Sequence, residues 1–142
     1  MAQPIASLEP EDALIAIMVA IAASDETMET SELVSIARMV DHLPIFAKYD
    51  IDRIETISQT VYDLYEEEDG LDALFALIKD ALPPELFETA YALACDVAAA
   101  DGRLMQSELL LLETIRHEFN IPRLHGAAIE LGSKARHMRL PE

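Results

Sequence analysis

Two short acidic segments of the sequence share the same spacing of residues that could bind a cation. In each, an aspartate follows an apolar, alanine-rich run and a glutamate stands seven residues later. Adding 76 to a residue number in the first segment gives its counterpart in the second without a gap, so the segments form an internal repeat. Carboxylate oxygens are the hard ligands that Ca²⁺, Mg²⁺ and Mn²⁺ prefer. If the two turns lie side by side, one divalent-cation site is predicted from four acids: Asp25, Glu32, Asp101 and Glu108.

Neither segment is a complete calcium-binding loop of the EF-hand type. The second segment, D-G-x-L-x-x-x-E, matches only the latter half of such a loop, which ends in a bidentate glutamate. The first and third loop positions would be Val97 and Ala99, which carry no side-chain oxygen. In the first segment, Glu26 replaces the turn glycine. Each segment therefore supplies only part of a ligand set, and a site would require both.

The same acids also have a structural interpretation that involves no metal. Aspartate is common in turns because its side chain bonds nearby backbone groups. A glutamate in the first turn of a helix interacts favourably with the free N–H groups and the helix dipole. The residues three positions before the two glutamates are Glu29 and Met105, so neither segment has the Ser or Thr of a reciprocal capping box. Spacing alone leaves both interpretations open.

The composition is strongly acidic, with 27 Asp and Glu against 10 Lys and Arg and a net charge of −17. This charge repels phosphate backbones, so we expect no nucleic-acid partner; cations or proteins with basic surfaces fit better. Basic residues gather near the end of the chain, at Lys134, Arg136 and Arg139, where we expect them to pair with acids of this chain or of a neighbouring subunit in a homo-oligomer. Cys95 is the single cysteine, which excludes an intramolecular disulfide and suits a reducing, cytoplasmic compartment.

The most apolar part of the chain is an uninterrupted run of ten residues at positions 14–23. A membrane-spanning helix needs about 20 such residues. A signal peptide would carry positive charge before the run, but Glu9, Glu11 and Asp12 precede it. The run therefore predicts a core helix that is buried nearly all round, in a soluble protein without a membrane span.

Apolar spacing and proline positions predict seven helices and no strand. Their predicted ranges are 10–24, 30–42, a third beginning at 50 or 52 and interrupted by Gly70, then 71–82, 84–100, 106–119 and 124–138. Short connections between them predict an all-α bundle, which we assign to a single domain over residues 1–142 with a core at about 9–138. The first and fifth helices, each apolar around most of its circumference, are predicted to pack together as the buried centre in a pseudo-twofold arrangement.

Two helix–turn–helix segments of the form A-x-D-G-x-h-x-x-x-E, in an acidic helical chain of this size, resemble the tellurite-resistance TerB family. The second copy fits at Ala100, Asp101, Gly102, Leu104 and Glu108. The first copy departs from the pattern, because Glu26 stands in place of the glycine and Ser24 precedes Asp25. The resemblance covers residues 9–138. It implies a seven-helix single-domain fold, a divalent-metal site at the paired acidic motifs and a role in stress-response assemblies without catalysis.

Three functions remain open at this point. The first is a TerB-like domain that binds a divalent cation and is associated with tellurite or stress resistance. The second is a metal-free helical interaction module, in which the same acids cap helices or meet a basic partner. The third is a metal-dependent hydrolase. The sequence has no Gly-rich phosphate loop and no G-x-S-x-G, and Cys95 lies within an apolar helix where a thiol stays protonated, so we expect no enzyme.

Overall fold

The computed structural model describes residues 8–24, 30–100 and 106–141, apart from the side chains of residues 30–32. Within these ranges the chain forms seven α-helices and no strand, which confirms the all-α prediction. The helices are α1 (Pro10–Ala23), α2 (Thr30–His42), α3 (Arg53–Tyr65), α4 (Gly70–Ala81), α5 (Phe87–Ala99), α6 (Gln106–Glu118) and α7 (Arg123–Arg136). Two short 3-10 helices, Pro44–Phe46 and Pro84–Leu86, precede α3 and α5. None of the helices in the described part of the chain is both long and apolar enough to cross a membrane.

The centre of the fold is the pair of helices α1 and α5. Every residue of α1 from Asp12 to Ala22 is buried, because α1 contacts α2, α3, α4, α5 and α6. Helix α5 packs along α1 and buries most of its own circumference. The predicted core residues are confirmed, since none is more than 4% exposed: Leu14, Ile17, Met18, Ile21, Leu93, Val97 and Ala98.

The helices are arranged as two three-helix units. Helix α1 packs against α2 and α3, and α5 packs in the same way against α6 and α7. The units are joined through their central helices and by two reciprocal contacts, because α2 touches α5 and α6 touches α1. Helix α4 lies between the units in the chain and packs on α1 and α3. The internal repeat seen in the sequence therefore corresponds to a repeated packing pattern.

The predicted helix ends are close to the observed ones, and the main difference is at Gly70. This residue is not in a loop but is the buried first residue of α4. A Cβ at this position would lie 1.5 Å from the carbonyl oxygen of Leu64, near the end of α3. Only glycine allows α4 to begin this close to the preceding helix. The second difference is that Pro84 begins a 3-10 turn, so α5 begins three residues later at Phe87.

The turn between α6 and α7 places the last helix against α5. Asn120 has a φ of 50°, the left-handed region in which asparagine is the most tolerated residue after glycine. Beyond it, the amide of Ile121 donates to the carbonyl of Arg116 at 3.1 Å and closes the end of α6. Ile121, which is buried, is followed by Pro122, and α7 then begins.

Candidate functional site

The four predicted metal ligands are only partly within the described residues. Asp25 and Asp101 lie outside them, and Glu32 lies in the first turn of α2 with its side chain outside the description. Glu108 lies in the first turn of α6 and is 3% exposed. Among the described side chains, no group of three or more His, Cys, Asp or Glu is positioned to hold a metal ion. Only one of the four acids, Glu108, is among these side chains, so the convergence of the four stays a prediction.

Two acids in the first turns of helices are buried within the described part of the chain: Glu108 of α6 and Asp12 of α1. Glu55, Asp72 and Glu88 lie in the first turns of α3, α4 and α5, and all three are exposed. Favourable interaction with a helix dipole thus requires no burial here. A buried carboxylate requires compensating charge or hydrogen bonds, and Asp12 shows which partners can supply them in this protein.

Asp12 is buried because it is the centre of a hydrogen-bonded cluster. Arg53 donates to both of its oxygens, from Nε at 3.0 Å and from Nη2 at 2.7 Å. The hydroxyl of Tyr49 donates at 2.8 Å and the backbone amide of Glu9 at 2.9 Å. Burial raises the pKa of Asp12, but the bonds from Arg53, Glu9 and Tyr49 together hold it below its usual value. The cluster joins the start of α1 to the start of α3, and it serves structure.

The second unit has a weaker counterpart of this cluster. Adding 76 to Asp12 and Tyr49 gives Glu88 and His125, and Nδ1 of His125 lies 3.1 Å from Oε2 of Glu88. Both side chains are about half exposed, at 51% for Glu88 and 53% for His125. The sequence alone had identified no partner for His125. The repeat therefore extends beyond the acidic segments to the connections between the first and third helix of each unit.

A cavity of about 560 Å³ lies between α5, α6 and α7, and we call it the C-terminal groove. Its apolar lining comes from Cys95, Ala99, Leu109, Leu112 and Met138. Its polar lining comes from Tyr91, Glu113, Arg116, Glu130, Ser133, Lys134 and His137. The volume lies within the range of about 300–1,000 Å³ typical of small-molecule sites.

The polar side chains around the groove are partly paired with one another. The hydroxyl of Tyr91 donates to Oε2 of Glu130 at 2.5 Å. Arg136 donates to Asp96 at 2.6 Å, so one of the clustered basic residues does pair with an acid of this chain, as predicted. Burial raises the pKa of the Cys95 thiol to about 12, and a thiol of such pKa stays protonated and unreactive near neutral pH.

These features define a class of protein: an all-α domain of two three-helix units, with each buried central helix leading to an acidic segment and then to a second helix. The family model of the tellurite resistance protein TerB matches residues 11–131, which include both acidic segments. The chain belongs to the TerB family, and the resemblance found in the sequence is confirmed. Comparison with curated proteins and with solved structures finds no match.

Proposed function

We propose that this chain is a non-enzymatic TerB domain that binds a divalent cation and takes part in tellurite or stress resistance. The association with tellurite resistance comes from the family match over residues 11–131. The proposed ligands are Asp25, Glu32, Asp101 and Glu108, and the proposed ion is Ca²⁺, Mg²⁺ or Mn²⁺. We further propose a cytoplasmic location, which suits a chain with one cysteine.

The observation that carries the proposal is the burial of the Glu108 carboxylate. A carboxylate moved out of water is destabilised by several kcal/mol unless charge and hydrogen bonds compensate. A bound cation would add to such compensation. The first-turn acids of α3, α4 and α5 are exposed, and the buried first-turn acid of α1, Asp12, has the cation of Arg53 beside it. Glu108 is also the described member of the repeated D…E pattern, so its depth is an observation independent of spacing.

The packing of the helices supports a site shared by both units. Helix α6, which carries Glu108, contacts α1 of the first unit, and α2, which carries Glu32, contacts α5 of the second. Each acidic helix thus touches the central helix that leads to the other acidic segment. This reciprocal arrangement favours pooling of ligands over two separate, ligand-poor sites.

Titration calorimetry with CaCl₂, MgCl₂ and MnCl₂ tests the proposal. The wild type should bind at least one of the ions with saturable heat, and Glu108→Gln and Asp101→Asn should each weaken binding by about tenfold or more, because each removes a charged ligand. Glu55→Gln is the matched control, since Glu55 is a first-turn acid that is exposed. Its binding should equal that of the wild type. Equal binding by Glu108→Gln and the wild type would exclude the proposed ligand set.

Thermal unfolding separates a specific site from general screening. A chain of net charge −17 gains stability from any salt that screens its self-repulsion. A specific site predicts that Ca²⁺ or Mg²⁺ raises the melting temperature beyond NaCl of the same ionic strength, and that Glu108→Gln removes only this additional part. If NaCl gives the full increase, the metal proposal fails.

A metal-free interaction module is the second candidate function, and one observation favours it. Leu33 and Val34 on α2 are 40% and 43% exposed, and the residues 76 positions later, Leu109 and Leu110 on α6, are 46% and 55% exposed. Exposed apolar pairs at equivalent positions of both units suit contact with another protein or with a second copy. Given the acidic surface, the partner would carry basic residues around an apolar contact.

Leu110→Glu tests this second candidate through chromatography coupled to light scattering and through capture from a lysate of the native host. An interaction module predicts that Leu110→Glu abolishes self-association or loses a partner that the wild type retains, with no change on adding a chelator. If self-association and capture are both unaffected, the exposed pairs are ordinary surface residues. A loss that also follows from chelation would point back to the cation site.

A further inference from the structure

The first unit has its own version of the C-terminal groove. A cavity of about 460 Å³ lies between α2 and α3, and we call it the N-terminal groove. Five of its eight lining residues have counterparts in the lining of the C-terminal groove. Leu33 corresponds to Leu109 with an offset of 76. Four residues of α3 correspond, with an offset of 75, to residues in α7 or directly after it: Glu55 and Glu130, Ser58 and Ser133, Gln59 and Lys134, Tyr62 and His137.

Each groove has a buried serine at this shared position. Ser58 is 8% exposed and Ser133 is 3% exposed, and neither hydroxyl has a hydrogen-bond partner in the described part of the protein. Other helical hydroxyls here bond the carbonyl four residues earlier, as Thr60 and Thr114 do. An unsatisfied buried hydroxyl is unfavourable by about 1–3 kcal/mol. A ligand atom that formed a hydrogen bond with the hydroxyl of either serine would remove this unfavourable energy.

The two grooves differ in charge. The charged residues lining the N-terminal groove, within the described ranges, are the acids Asp52 and Glu55. In the C-terminal groove, Lys134 replaces Gln59 and His137 replaces Tyr62. A third difference is at Arg116, which lies 76 positions after Val40: the first unit has a neutral residue here and the second unit has a basic one. The second unit has thus acquired positive charge at one location of a chain whose net charge is −17.

The positive charges of Lys134 and Arg116 are not neutralised by ion pairs within the described part of the protein. Neither the exposed Lys134 nor the half-buried Arg116 has a side-chain hydrogen bond or an ion pair among the described residues. The lining also contains two acids, Glu113 and Glu130, and Glu130 accepts the hydroxyl of Tyr91. Just outside the lining, Asp96 accepts a hydrogen bond from Arg136. Acids more than about 8 Å away in water are largely screened at physiological ionic strength. Lys134 and Arg116 can therefore contact an anionic head group directly, although the groove as a whole also carries acids.

The remaining walls of the groove are apolar and match an apolar part of a ligand. Leu109, Leu112 and Met138, with Cys95 and Ala99, supply aliphatic and sulfur surface along its walls. We propose that the C-terminal groove binds a small amphiphilic carboxylate, with its head group at Lys134 and Arg116 and its apolar chain against these walls. The N-terminal groove, which has the serine and leucine but not the basic residues, does not bind it.

Decanoate, used below the concentration at which it forms micelles, is the probe for this proposal. Titration of the isotope-labelled protein followed by amide NMR should give saturable shifts at Ser133, Lys134 and Cys95, with none at Ser58 and Gln59 of the N-terminal groove. Acetate, which has the head group alone, and decanol, which has the chain alone, should each bind much more weakly. Saturable shifts of equal size in both grooves would overturn the proposal, as would equal binding of acetate or of decanol.

Lys134→Gln installs the residue of the N-terminal groove at an exposed position in the last turn of α7. It should weaken decanoate binding about three- to fivefold, the effect of one partly exposed ion pair. Lys48→Gln removes the same charge from an exposed site outside the groove and should leave binding unchanged. Unchanged binding by Lys134→Gln, or an equal loss in both variants, would refute recognition by the groove.

Cys95 gives an independent measurement, because it is the single cysteine and lines the groove. Its labelling by a small uncharged thiol reagent is slow in the folded protein and is therefore followed above neutral pH over a long reaction time. Saturating decanoate should slow this labelling further in the wild type. The protection should require several times more decanoate in Lys134→Gln. Labelling that is insensitive to decanoate would place the ligand elsewhere and overturn the proposal. None of these outcomes depends on a divalent cation, so this inference and the proposed metal function can fail separately.

Discussion

Replacement of Arg53 should destabilise the protein more than replacement of its partner Asp12. Asp12 is fully buried, whereas the Arg53 side chain is 43% exposed, so the two ends of this ion pair differ in their access to water. In Asp12→Asn, the side chain keeps its shape and Arg53 is solvated. In Arg53→Met, a buried carboxylate remains with Tyr49 and Glu9 as its donors.

The magnitudes follow from what each variant leaves behind. In Asp12→Asn, an amide NH2 replaces one accepting oxygen, so one bond from Arg53 and one from either Tyr49 or Glu9 are lost. No buried charge is left, and we expect a loss of about 2 kcal/mol in the free energy of unfolding. Arg53→Met leaves an uncompensated buried charge, which in other proteins is unfavourable by about 3–5 kcal/mol. We expect about 3 kcal/mol here, because Tyr49 and Glu9 still donate hydrogen bonds.

The pH dependence of the two proteins should differ in sign. In the wild type the pKa of Asp12 is held below its ordinary value of 3.8, so its contribution to stability is present above that value and is lost as the pH falls through the lower folded pKa. In Arg53→Met the bonds from Arg53 are gone, and burial should raise this pKa above the unfolded value. As the pH falls from about 7 to about 5, the free energy of unfolding of the variant should therefore increase relative to that of the wild type.

Urea unfolding followed by far-ultraviolet circular dichroism at these two pH values measures both effects. Glu88→Gln is the matched control at the equivalent position of the second unit, where the contact between Glu88 and His125 is about half exposed and should contribute less than about 0.5 kcal/mol. The reasoning is refuted if Asp12→Asn is as unstable as Arg53→Met, or if the difference between Arg53→Met and the wild type is the same at both pH values.

Three further changes have outcomes that the structure predicts. Gly70→Ala should lower the free energy of unfolding by about 3 kcal/mol or more in urea titrations, because the added Cβ would overlap the backbone carbonyl of Leu64; a loss below about 1 kcal/mol would show that α4 can move away. Asn120→Val should lose about 1–2 kcal/mol in the same assay and Asn120→Gly should lose nothing, because residue 120 has a positive φ. Alkylation of Cys95 near pH 8 should be far slower in the folded than in the urea-unfolded protein, because burial raises its pKa to about 12; comparable rates would contradict this.

The fold was predictable because its strongest determinant is local. The apolar run from Leu14 to Ala23 specifies a helix that is buried on all sides, and its counterpart before Asp101 specifies one that is buried over most of its circumference. Two such helices are expected to pack together. The end of α3 was less predictable, because glycine usually interrupts a helix. Gly70 instead begins one, for a reason that lies in the position of Leu64.

The candidate sites were predictable only in part, because their chemistry depends on depth and on distant partners. Spacing identified Glu108 but could not show that it is buried while Glu55 is exposed. In the sequence, Asp12 is only one of three acids that precede the apolar run, because its main partner, Arg53, lies 41 residues away. The C-terminal groove was not predicted from the sequence, because its walls come from three helices. The charge of Lys134 distinguishes this groove only when Lys134 is compared with its counterpart in the first unit, Gln59.

The complete burial of α1 has a consequence for synthesis of the chain on the ribosome. Within the domain this helix is made before the helices that cover it, α2 to α6, the last of which ends at Glu118. Until they follow, the emerging domain carries an incompletely covered run of ten apolar residues. Such a run is a binding site for chaperones and a nucleus for aggregation until α5 is made. Burial of α1 is therefore completed only after α6 has left the ribosome.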